Sequence, residues 1–79
     1  MDARELLEEL RRRPANVRPE ELVRLAEMAG WQVRVGAKHP YILERPGFLP
    51  VAVPKHGGRA LKRGTVLRIL AVIEASLNR

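Results

Sequence analysis

Gly30-Trp31-Gln32-Val33-Arg34-Val35-Gly36-Ala37-Lys38-His39-Pro40-Tyr41-Ile42-Leu43-Glu44 is where the hydrophobic period of the chain changes. Trp31, Val33 and Val35 alternate with Gln32 and Arg34, the period-two pattern of a half-buried strand. Residues 36–38 then turn the chain. Residues 41–44 read as a second strand, with Tyr41 and Leu43 on one face and Ile42 on the other. Arg45-Pro46-Gly47 is a second turn, because Pro-Gly is a strong turn dipeptide. Residues 48–53 read as a third strand with Val51 and Val53 on one face. Pro50 and Pro54 cannot donate to a ladder, which puts at least part of that strand on an edge. Three consecutive strands with short turns make an antiparallel meander.

The chain before Trp31 has a different period. In residues 2–13, Ala3, Leu6, Leu7 and Leu10 form one apolar helical stripe. Asp2, Glu5 and Glu8 near its start and Arg11, Arg12 and Arg13 at its end both complement the helix dipole, and Pro14 stops it. The Arg triplet reads as a solvated last turn before it reads as a phosphate contact. Residues 14–18 form a short linker. Pro19, followed by Glu20 and Glu21, opens a second helix with the stripe Leu22, Leu25, Ala26 and Ala29, closed by Gly30. Two helices joined by so short a loop are antiparallel neighbours.

Beyond the third strand, residues 55–64 are a basic loop, Lys-His-Gly-Gly-Arg-Ala-Leu-Lys-Arg-Gly. A last helix runs from about Arg63 to Leu77, with Val66, Ile69, Leu70, Ile73 and Leu77 as its buried stripe. The expected fold is therefore α+β in the order α-α-β-β-β-α, with helices on one face of a three-stranded antiparallel sheet. Seventy-nine residues form a single domain, 1–79, with no room for a second core. A hydrophobic fraction of 46% suits a globular chain, and with only Trp31, Tyr41 and Phe48 as aromatics the core has to be aliphatic.

The absence of cysteine removes disulfides, thiolate metal sites and cysteine nucleophiles, and fits a cytoplasmic protein. The first residues lack the apolar stretch of a signal peptide, and no apolar run approaches the length of a membrane span. The net charge of +6 is segregated. Residues 1–30 carry six arginines against seven carboxylates, whereas residues 31–79 carry nine Lys/Arg against only Glu44 and Glu74. A charge serving solubility alone has no reason to segregate, so the basic part points to a polyanion, nucleic acid first.

His39 carries the sharpest chemical expectation. Its imidazole exchanges a proton near neutral pH. RNA cleaves itself when its 2′-hydroxyl is deprotonated and the leaving oxygen protonated, and one placed histidine serves one or both steps. Lys38, or an arginine of the basic loop, stabilises charge on the phosphorane. Pro40 keeps His39 out of the helical region. The plain alternative is a polar surface histidine at a strand entry, since one histidine is not a constellation. His56 is a second acid/base group, a phosphate donor or an ordinary exposed loop residue. Lys55, Arg59, Lys62, Arg63 and Arg68 are the candidate phosphate contacts: the glycine-bearing loop presents Arg59, Lys62 and Arg63 near the start of a helix that already attracts anions, and Arg68, off the buried stripe, extends the patch. Two histidines with no cysteine and no acidic cluster make neither a zinc nor a magnesium site, so no metal or cofactor is expected. So few aromatics disfavour recognition by base stacking.

The segments Gly30-Trp31, Gly36-Ala37-Lys38-His39-Pro40-Tyr41, Val51-Ala52-Val53-Pro54-Lys55-His56 and Leu61-Lys62-Arg63-Gly64-Thr65-Val66-Leu67-Arg68-Ile69-Leu70, in this order and spacing, resemble the HicA family of small mRNA interferase toxins. The resemblance spans about residues 19–75 and leaves residues 1–18 as an extra helix and linker before a core at 19–77. It implies a fold like the double-stranded RNA-binding domain and metal-independent endoribonuclease activity on mRNA. It also implies catalysis by a single histidine, matched here by His39, and a HicB-like antitoxin partner that blocks the site. Two readings without cleavage share the residue pattern: an RNA-binding module, and an interaction subunit whose basic face meets an acidic protein.

Overall fold

The computed structural model describes residues 1–35, 40–55 and 59–78. Three helices and three strands follow one another as α1 (Ala3–Arg12), α2 (Pro19–Met28), β1 (Gln32–Val35), β2 (Tyr41–Glu44), β3 (Val51–Val53) and α3 (Arg63–Leu77). The strands form an antiparallel sheet in the order β1-β2-β3, so β2 is central and the other two are edges. The order α-α-β-β-β-α is the one the hydrophobic periods dictate.

Each helix boundary has a local cause. Asp2 caps α1, its carboxylate accepting from the Glu5 N–H at 2.9 Å. Pro19 stands at the first position of α2, and the Glu21 carboxylate reaches back to accept from the Arg18 N–H at 3.0 Å. At the other end Gly30 takes φ +91°, the Gly30 N–H donates to Glu27 O and the Trp31 N–H to Ala26 O. This paired closure satisfies carbonyls that the helix leaves open and aims the chain into β1. Pro46 and Gly47, the latter at φ +90°, form a tight turn closed by the Phe48 N–H donating to Arg45 O at 3.1 Å.

Register fixes the faces. Val33 pairs with Leu43 and Leu43 with Val51, while Val35 pairs with Tyr41 and Tyr41 with Val53. These rows point toward the helices; Gln32, Arg34, Ile42, Glu44 and Ala52 point away. α2 lies across all three strands, and α1 packs on α2 and α3. Leu7, Leu10, Leu22, Leu25, Leu43, Val53, Ile69 and Ile73 make one aliphatic core in which α1 is fully included. On the outer face Arg34 forms a two-pronged pair with Glu44, at 2.8 and 3.3 Å.

Three features depart from the expectation. The third strand begins at Val51 rather than at residue 48. The Pro46-Gly47 turn closes on Phe48, whose ring stacks at 5.5 Å against Trp31 instead of joining the sheet, and Pro50 has no N–H to give. Val35 stands on the inward face but is exposed, because β1 runs past the helices. Leu77 is only partly buried, and its place at the bottom of the α3 stripe goes to Ser76. Ser76 accepts the Trp31 indole N–H at 3.0 Å and donates to Ile73 O at 2.6 Å. Among the described residues no helix is long and apolar enough to cross a membrane.

Candidate nucleic-acid interface

The arginines divide into those the fold uses and those it leaves outside. Arg11 bridges Glu8 at 3.1 Å and Glu74 at 2.8 Å, tying α1 to α3. Arg13 holds Glu21 and Glu9, tying the end of α1 to α2. Arg45 donates to Ala29 O at 2.6 Å, and Arg4 donates to Leu77 O and Asn78 Oδ1, both at 2.9 Å. The Arg11–Arg13 run is thus structural at two of its three positions. The hydrogen bond from Arg13 holds the Glu21 carboxyl below the usual range against the opposing effect of burial, and Arg18 adds to it.

Arg59, Lys62, Arg63 and Arg68 are exposed and have no ion pair among the described residues. The carboxylates beyond residue 30 do not neutralise them, because Glu44 is taken by Arg34 and Glu74 by Arg11. The pairing therefore leaves Arg59, Lys62, Arg63 and Arg68 without a carboxylate partner among the described residues. Lys62 caps α3 with its backbone only, no acidic residue occupies the first turn, and Arg63 is the first helical residue. Free N–H groups and two cationic side chains lie together there.

Trp31 and Phe48 mark one end of the sheet, and the Trp31–Ser76 bond brings the end of α3 to it. A helix of fifteen residues is about 22 Å long, so the start of α3 lies about that far from its own end beside Trp31. At the other end of the sheet Val35 and Tyr41 pair. Lys55 is also there, its ammonium 5.1 Å from the centre of the Tyr41 ring, within cation–π range. Leu61 anchors the chain between β3 and α3, buried and donating its N–H to Val17 O at 2.8 Å. Lys55, Arg59, Lys62 and Arg63 thus all lie on the stretch that leads from β3 into the first turn of α3. Arg68 does not join this group; it lines a groove between α3 and residues 47–52. The candidates Lys38, His39 and His56 lie outside the described residues.

The alternation puts Tyr41 on the same strand face as Leu43 but does not foresee its contact with Lys55. Its signal was available: Tyr41 and Val53 pair across β2 and β3, and Lys55 follows Val53 by two residues. Among the described residues no group of three His, Asp or Glu side chains is placed to hold a metal ion. Compared with known protein families, curated proteins and solved structures, the chain matches none.

Proposed function

We propose that this chain is an RNA-binding domain, folded in the manner of a double-stranded RNA-binding domain, that cleaves RNA without a metal. The observation that carries the RNA part is the set of exposed, unneutralised cations at Arg59, Lys62 and Arg63 beside the bare start of α3. A phosphodiester backbone supplies the charge that those groups lack. The cleavage part rests on the resemblance of residues 19–75 to the HicA toxins and on His39, four residues beyond the end of β1 in sequence. In this reading His39 takes the proton of a 2′-hydroxyl, and the 2′-oxygen attacks the adjacent phosphorus. The bond to the 5′-oxygen breaks, and that oxygen leaves with a proton. Lys38 and the basic loop, His56 included, offset the charge that builds on the phosphorane. An antitoxin of the HicB kind is the proposed protein partner, and mRNA the proposed substrate.

The test is cleavage of a defined RNA in EDTA by wild-type and His39→Ala proteins, both checked for folding. Wild-type cleavage that falls by a factor of about 10²–10⁴ in His39→Ala supports the nuclease. Equal cleavage by both removes His39 from the reaction. Binding of RNA by both with cleavage by neither leaves a non-catalytic RNA-binding module.

A further inference from the structure

The groove lined by Arg68 has a character of its own. It encloses about 470 Å³ between α3 and the segment leading into β3. Val51 and Ala52 are consecutive in β3 and point to opposite faces of the sheet, yet both line it. Its floor is therefore the backbone edge of β3, which pairs with no strand on that side among the described residues. Leu49 stands at its margin, 85% exposed and the most exposed large apolar side chain among the described residues. Val72 and Ile69 continue the apolar lining on α3. Arg68 contributes one guanidinium with no ion pair among the described residues.

We infer that this groove binds an extended, acidic segment of a partner protein, added to the edge of β3 as a fourth strand with a carboxylate against Arg68. The main-chain edge supplies hydrogen bonds, and alternate side chains of the added strand meet the apolar lining. Charge complementarity identifies the occupant. Glu44 and Glu74, the carboxylates of the basic half, are engaged by Arg34 and Arg11, so Arg68 is open to a carboxylate from outside the chain. A second copy of this chain does not supply it, because edge-to-edge pairing of two β3 strands brings two Arg68 side chains together with no acidic residue in 47–54. RNA fits poorly, since the groove sets one cation in an apolar lining. The groove takes no part in the cleavage proposed above; joined to that reading, it is where the protein partner is held.

The probe is a synthetic, N-acetylated seven-residue peptide alternating valine and glutamate, titrated into the ¹⁵N-labelled full chain. Shifts centred on residues 51–53 and 68–72 are expected, with binding weakened at least about tenfold by Leu49→Ser, by Arg68→Gln, and by glutamine in place of glutamate. A peptide N-methylated at alternate amides should not bind. Leu49→Ser should keep the melting temperature and the RNA affinity of the wild type, and His39→Ala should keep peptide binding, so the two readings fail separately. Shifts centred on Lys62 and Arg63, undiminished binding to Arg68→Gln, or an RNA oligonucleotide displacing the peptide from the groove would overturn the inference. Self-association through β3, seen by sedimentation and abolished by Leu49→Ser, would overturn it as well.

Discussion

The Trp31–Ser76 bond joins two buried side chains, and its energetics are one-sided. The indole N–H is buried and donates to Ser76 Oγ at 3.0 Å. Ser76→Ala leaves that donor without a partner, which costs about 1–3 kcal/mol, less a few tenths recovered from the helix propensity of alanine. The expected outcome is a lower midpoint in urea with an unchanged slope, followed by the emission of the single tryptophan. The sequence announces Trp31 as core, but not its acceptor. A serine one position before Leu77 looks like a surface residue until the need of a buried indole for an oxygen is set beside the one-turn spacing from Ile73. Glu21 is a second case. Its carboxyl is held low chiefly by the hydrogen bond from Arg13, so it stabilises the fold above the ordinary glutamate range near about pH 4.3 and loses that effect as pH falls through its lower native value. Glu21→Gln should melt a few degrees below wild type at pH 7, with the gap closing in acid. The side chain is one-third exposed, which keeps the effect small.

Among the elements, the joint between α2 and β1 is the most constrained. Gly30 holds φ +91°, and a Cβ there would meet only the Arg45 guanidinium, at 3.6 Å, an ordinary contact. Gly30→Ala therefore costs about 1–2 kcal/mol for its backbone conformation alone. A thermal melt lower by several degrees, with the native circular dichroism retained, is the expected result. Helices α1 and α2 were legible because a stripe coincides with a start and a stop signal in each, and α3 was legible from its stripe alone. The start of the third strand was not legible, because Phe48-Leu49-Pro50-Val51 is apolar throughout and alternation cannot separate a strand from the tail of a turn. Val17 was likewise hidden: it lies in a segment of prolines and polar residues, yet it is fully buried and receives the Leu61 N–H on its carbonyl.

For the whole molecule, electrostatics make the sharpest claim. If Arg59, Lys62 and Arg63 each meet a phosphate, the logarithm of RNA affinity falls with the logarithm of salt, with a slope of about −0.7 per contact. Arg63→Ala should reduce that slope by about 0.7 and weaken binding of unrelated RNA sequences about equally. Fluorescence anisotropy across a salt series measures both. A slope unchanged in Arg63→Ala removes that residue from the interface. The charge segregation behind this claim was visible in the sequence. Which cations remain for a ligand was not, because it depends on contacts such as Arg11–Glu74 that join residues 63 positions apart. The separation of Arg68 from the other candidates was hidden for the same reason, since spacing along a helix does not reveal which neighbour stands across from it.

The bond from Arg4 to the Leu77 carbonyl brings the beginning of α1 beside the end of α3. In topological terms the fold is nearly a closed ring. A short bridge of a few residues spanning that gap would cyclise the backbone with little distortion, and the ring could then be opened elsewhere to give a permuted chain with the same core. A cut between α1 and α2 would keep both helices, place the new ends near Asn16 and leave the meander and the basic end untouched. The order in which the helices are synthesised would then be separated from the order in which they pack.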